Sequence, residues 1–239
     1  MARDGFDYGG ETPLSAGGMF KQPEVGQATG RVRSIIHIGR FSKIWKGTAA
    51  PAAPYVAVIF ELHDQWEDEE ETIPLTTSIA FPLKKGDKAN MVKFLNAVDP
   101  DDKAAGFGDC IGLPASLNMV GSKDKDDDGN PKFVNCKEVT AVPKSILKHL
   151  PELQVKGVGH VAFVDMTKEA VLELNPHLHV AAIMEKAENY KGSQAEKVVA
   201  EIRKEDPDFA KASTSTREDA GKDDRPEPPP PDMDESEEY

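Results

Sequence analysis

Apolar and polar residues alternate over three stretches in the first third of the chain, and each alternation predicts a strand. In Arg31–Ile38 (RVRSIIHI) it sets Val32, Ser34, Ile36 and Ile38 on one face and Arg31, Arg33, Ile35 and His37 on the other. Tyr55–His63 divides into Val56, Val58, Phe60 and Leu62 against Tyr55, Ala57, Ile59 and Glu61. Thr72–Phe81 divides into Ile73, Leu75, Thr77, Ile79 and Phe81 against Pro74, Thr76, Ser78 and Ala80. The acidic run Glu67–Glu71 is polar enough to be the tip joining the last two. The period then lengthens. Met91, Phe94, Leu95 and Val98 recur at helical spacing, with Asp87 as the expected cap and Asp99-Pro100 as the stop. Two further strands follow, Ile111–Val120 and Lys132–Val142, joined by a turn around Asp128-Gly129-Asn130.

Three strands, a helix and two strands is the element order of the five-stranded OB-fold Greek-key barrel, whose helix lies between its third and fourth strands. An SH3-like barrel or a small sandwich has a similar strand count, but a single helix at that place favours the OB barrel. Beyond Pro143 the periodicity is helical over Thr167–Leu174, Pro176–Tyr190 and Ser193–Glu205. The expected class is therefore mainly β with α. Its expected parts are an extended Gly/Pro-rich arm over 1–26, the barrel over 27–143, a helical appendage over 144–206 and a disordered acidic tail over 207–239.

Composition changes this picture in two places. The 239 residues carry a net charge of -13, yet Val25–Phe60 holds Arg31, Arg33, Arg40, Lys43 and Lys46 and no acid. An acidic protein with a locally basic segment has the electrostatic footprint of an anion-binding groove. At the other extreme, Arg217–Tyr239 has ten acids, three bases and four consecutive prolines, too little apolar surface to offset the entropy of ordering. The two cysteines, Cys110 and Cys136, read as small core residues of a cytoplasmic protein without a signal peptide. No apolar run approaches the ~20 residues that span a bilayer, so no membrane partner is expected.

Candidate chemistry concentrates in the basic segment. Phe41 and Trp45 are interleaved with its cations, and Tyr55 opens the next strand. Single-stranded nucleic acid calls for this pairing, because cations neutralise phosphates while aromatic faces stack on bases at roughly 1–3 kcal/mol each. Lys84 and Lys85, with Lys88, form a second basic cluster beside Phe81. The competing reading is a solvated basic strand edge with Trp45 packed into the core. Asp124, Asp126, Asp128 and Gly129 imitate the start of a calcium loop. Position twelve would be Asn135, however, and no helices flank the loop, so a hairpin turn is expected and no metal. The six histidines match no zinc spacing, and His37 reads as a surface residue within reach of a ligand. Nucleophile elbows, Walker lysines and dinucleotide glycines are missing, so neither an enzyme nor a cofactor is expected.

The stretch G-G-M-F-K-Q-P-E-V-G-Q-A-T-G-R-V-R-S-I-I-H-I-G (Gly17–Gly39) resembles the opening of a family of single-stranded DNA-binding proteins of tailed phages. T-T-S-I at Thr76–Ile79, Phe94-Leu95 in the helix and G-F-G-D-C-I-G-L-P-A at Gly106–Ala115 extend the likeness over roughly residues 17–143. The acidic tail ending in an aromatic is similar to the partner-docking tails of bacterial and phage proteins of this function. The tip here is E-S-E-E-Y rather than acids followed by Pro-Phe.

The resemblance implies a protein that coats single-stranded DNA during phage replication or recombination in the host cytoplasm. Arg31, Arg33, Arg40, Lys43, Lys46, Lys84 and Lys85 would then meet phosphates and Phe41, Trp45 and Tyr55 would stack on bases. Thr76 and Ser78 would donate hydrogen bonds. Asp232, Asp234, Glu235, Glu237, Glu238 and Tyr239 would dock replication proteins such as a polymerase, helicase or primase, with self-association along the DNA. A protein-interaction module without nucleic-acid binding, and a metal-dependent nuclease using Glu67–Glu71, are the competing classes.

Overall fold

The longest apolar-rich segment forms the longest strand, β1 (Gly26–Phe41), and the sheet is organised around it. The computed structural model describes residues 21–42, 44–45, 48–49, 51–67, 73–123, 125, 129–131, 133–178, 183–206 and 209. The two-residue strands β2 (Ile44–Trp45) and β3 (Thr48–Ala49) pair with each other beyond the end of β1. Then come β4 (Ala53–Trp66), β5 (Pro74–Pro82), helix α1 (Asn90–Val98), β6 (Pro114–Gly121) and β7 (Val134–Thr140). The C-terminal part adds α2 (Lys144–Leu147), β8 (Gly159–Val161), α3 (Lys168–Leu178) and α4 (Gln194–Glu205).

The main sheet has the order β5-β4-β1-β6-β7, antiparallel throughout, and β8 pairs β1 in parallel. One edge of β1 runs along β4. The other is shared, with Gly26–Arg31 against β6 and Ser34–Ile36 against β8. The sheet is open, because β5 and β7 end the order without pairing to each other. The molecule is therefore mainly β with a few helices on an open six-stranded sheet. Among the described residues no helix is long and apolar enough to cross a membrane.

Two apolar clusters lie on opposite faces of this sheet. The inner one joins Val32, Ile35, Val58, Phe60 and Phe81 to Phe94 of α1 and to Leu117 and Met119 of β6. The other joins Ile36, Ile38, Ala57 and Ile59 to Val171 and Leu174 of α3 and to Val198 and Ile202 of α4. Each side chain of this size, once buried, contributes about 1.5–3 kcal/mol, so both layers are held mainly by hydrophobic burial. Cys110 and Cys136 are buried free thiols, and desolvation pushes them up to about 11 and about 12.

Several expectations need correction. Around Arg33 the ladder slips, with Val32 opposite Phe60 and Ser34 opposite Ile59. This bulge inverts the alternation as far as a second slip between His37 and Gly39. Val32 and Ile35 therefore share the inner core, while Ser34, Ile36 and Ile38 face the helices. Asp87 does not cap the helix: α1 begins at Asn90 behind Ala89, with no side-chain cap bond. Pro176 does not separate two helices, for α3 carries it internally. The parallel strand β8 was not foreseen. Ser193 does start α4, accepting from Glu196 N at 3.1 Å while the Glu196 carboxylate accepts from Gly192 N at 2.6 Å.

Candidate nucleic-acid interface

The expected ligand residues fall into two groups, divided by how far the C-terminal segment covers the sheet. On the face covered by the C-terminal segment, Arg31 is buried and its guanidinium is bound to protein acceptors. Nε donates to Pro151 O at 2.6 Å, Nη1 to Gly112 O at 2.7 Å, and Nη2 to Leu150 O and to the Glu152 carboxylate at 3.3 and 3.2 Å. Next to it the buried Glu61 carboxylate accepts from Gln154 N and Val155 N at 2.6 and 3.0 Å. These contacts clamp the 150–155 connector to β1 and β4. A guanidinium committed to three carbonyls has little left to offer a phosphate.

Arg33 is placed similarly. Its Nε lies 3.0 Å from Glu173 Oε1 of α3, an ion-pair contact without hydrogen-bond alignment. Glu173 also accepts from Ser34 Oγ at 2.8 Å and from Val158 N at 3.0 Å. Gly157 lets the connector pass here, since a Cβ would overlap Ser34 Oγ. Thr76 meets His177 Nε2 at 3.0 Å, and Ser78 is half-buried on the same face, opposite Ile59. Burial first and Arg33 second pull His177 down to about 4, so at neutral pH it is an uncharged partner for the Thr76 hydroxyl.

The second group gathers at one end of the sheet. Arg40 is exposed and pairs in register with Pro54, whose carbonyl accepts from Leu83 N at 2.8 Å. Arg40 and Leu83 thus flank one β4 residue, about 10 Å apart at normal strand spacing. Lys84 and Lys85 follow Leu83 and are exposed. Arg40 Nη2 donates to Ala52 O at 2.8 Å, which steadies the guanidinium beside the β1–β4 connection. Phe41 and Tyr55 meet edge to face there, with ring centroids 5.4 Å apart and planes at 84°. Both are half-buried against the helical cluster.

The backbone of Trp45 belongs to the β2–β3 ladder in the same connection. The Trp45 side chain, Lys43 and Lys46 lie outside the described residues, as do the tail positions from Asp232 to Tyr239. This end is tied to the segment before α4, because Glu188 N donates to Arg40 O and Arg40 N to Asn189 Oδ1, both at 2.9 Å. Gly39, at φ +116°, permits that approach, since a Cβ there would lie 2.5 Å from the Ala187 methyl carbon.

A histidine pair escaped the reading of the sequence. His37 Nε2 and His160 Nε2 lie 3.1 Å apart, with Phe107 against both rings. Burial, then the neighbouring His160, lowers His37, so the pair shares a hydrogen bond with His37 neutral. Nothing local signals it, because 123 residues separate the two. Among the described residues, no group of three or more histidine, cysteine or acidic side chains is placed to hold a metal ion. The chain matches no known protein family and no curated protein.

Proposed function

We propose that this chain is a sequence-nonspecific single-stranded DNA-binding protein that makes and breaks no bond. The observation carrying this reading is the convergence of Arg40, Phe41 and Tyr55 with Lys84 and Lys85, 29 to 45 positions away in sequence, at one end of the sheet. The β2–β3 connection with Trp45 leads out of the same end. Strand order supports it too. β5-β4-β1-β6-β7, with α1 between β5 and β6, is the order of an OB barrel opened along one seam.

In this reading Arg40, Lys84 and Lys85, joined by Lys43 and Lys46, neutralise phosphates and release their counterions. Trp45, with Phe41 and Tyr55, offers aromatic faces to bases. Arg31, Arg33 and Thr76 act indirectly by fixing the sheet under its helices. The likeness of Gly17–Gly39 and Gly106–Ala115 to tailed-phage single-stranded DNA-binding proteins favours replication or recombination as the setting. The polyanion Arg217–Tyr239 competes with DNA for the basic end and docks replication partners when displaced.

Fluorescence anisotropy on oligo-dT tests this. The full chain should bind at low salt and lose affinity steeply as salt rises, and a chain ending at Thr216 should bind more tightly at low salt, where charge is least screened. If neither chain binds at low salt, the reading is wrong.

A further inference from the structure

We propose that the open seam between β5 and β7 is the docking site for this chain's own residues 1–20. The two strands that end the sheet order leave their outer edges without a strand partner among the described residues. Such an edge is a row of unpaired donors and acceptors that templates an added strand. Beside them, with α1 forming one wall, lies a groove of about 500 Å³ lined by Ile79, Phe94, Val120 and Val139, where Lys93 and Lys137 outnumber the single acid Glu138.

The chain enters at this groove. Ser122 N donates to Phe133 O at 2.7 Å, so that carbonyl faces β6 and the next N–H, on Val134, faces the opposite, outer edge. Val134 N donates to Gln22 Oε1 at 2.6 Å. Two residues later Glu24 N donates to Gln65 Oε1 at 2.9 Å, near the end of β4. Residues 22–24 therefore cross the end of the seam from β7 to the β4–β5 hairpin, and Lys21 lies at its mouth. The apolar surface is exposed in the same place. Val25 is 57% exposed, Val120 37% and Phe133 47%, and Val25 packs beside Gly121 in the same corner.

Residues 1–20 have matching chemistry. Phe6, Tyr8, Leu14, Met19 and Phe20 supply apolar groups, and Asp4, Asp7 and Glu11 supply charge opposite to Lys93 and Lys137. Length is ample: a strand along β7 needs about 23 Å, and twenty extended residues reach about 66 Å. Covalent attachment at Gln22 gives an effective concentration in the millimolar range, so individually weak contacts suffice. Docking there would cover the seam and close the sheet on itself. No nucleic acid is involved, so this proposal stands or falls apart from the DNA-binding reading.

Hydrogen exchange on the full chain and on a chain beginning at Lys21 tests it. Removing residues 1–20 should speed exchange at least tenfold in β7 and β5 while leaving the central strands β1 and β4 unchanged, and the free 1–20 peptide should restore protection. Should the shortened chain fail to fold, Met19→Asp with Phe20→Asp in the full chain should expose the same two strands. Identical exchange with and without the arm, or in the double variant, overturns the proposal. Protection that rises with protein concentration also overturns it, because the occupant is then a second copy.

Discussion

The two ends of this sheet's cationic surface look alike in sequence and differ completely in structure. Arg31 and Arg33 face carbonyls, Glu173 and the apolar layer of α3 and α4, whereas Arg40, Lys84 and Lys85 lie beyond that cover and are exposed. A basic residue on a strand is thus a ligand candidate only where nothing else in the fold supplies the negative charge. Under the proposed function the first group serves stability and the second binding, and each role can be broken separately.

The largest effect should come from Glu173→Ala. It strips partners from Arg33, Ser34 and Val158 together, and leaving a largely buried cation uncompensated costs about 3–5 kcal/mol. Urea unfolding should show that loss, with oligo-dT affinity of the folded fraction unchanged. Lost DNA binding at unchanged stability would put the binding surface under the helices and erase the contrast.

Acid should come next. The unfolded chain protonates His177 near its ordinary value of ~6.5, whereas the folded chain does so only at about 4. The unfolded state therefore binds more protons between these limits. Stability should fall as pH drops below ~6.5 and level off below ~4, by about 3 kcal/mol from this one group. His37 and His63, both lowered chiefly by burial, act in the same direction. Melting temperatures from pH 7 to 4 check the slope, and His177→Gln should flatten it. An unchanged slope in that variant would remove His177 from the account.

At the open end the effects are smaller and concern DNA alone. Trp45→Ala should weaken oligo-dT binding several-fold, in line with roughly 1 kcal/mol for one lost stacking face. The melting temperature should stay put. A large loss of stability with unchanged affinity would return Trp45 to the core.

Much of the fold was legible because local alternation reports faces directly. Val56, Val58, Phe60 and Leu62 lie in the inner core, and Leu75, Ile79 and Phe81 line the same side, as their spacing indicates. The phase of β1 is hidden in the sequence because one extra residue at Arg33 inverts the alternation until a second slip between His37 and Gly39 restores it, and such insertions leave no trace in a pattern of apolar letters. The partners of Arg31 and Arg33 were out of reach for another reason. Gly112, Pro151 and Glu173 lie 81 to 140 residues along the chain and meet these cations only through the fold. β8 is three residues long, too short for any period to register. Closure of the barrel likewise rests on how far the sheet curls, which strand order alone does not specify.

The most direct test of the central claim is oligo-dT anisotropy across salt for the native chain and for Lys84→Ala with Lys85→Ala. If the exposed end holds the strand, the native chain binds at low salt. The variant then loses about tenfold in affinity, and its logarithmic salt slope flattens by about 1.4 for two lost phosphate contacts. Equal affinities and equal slopes in the two proteins would contradict it.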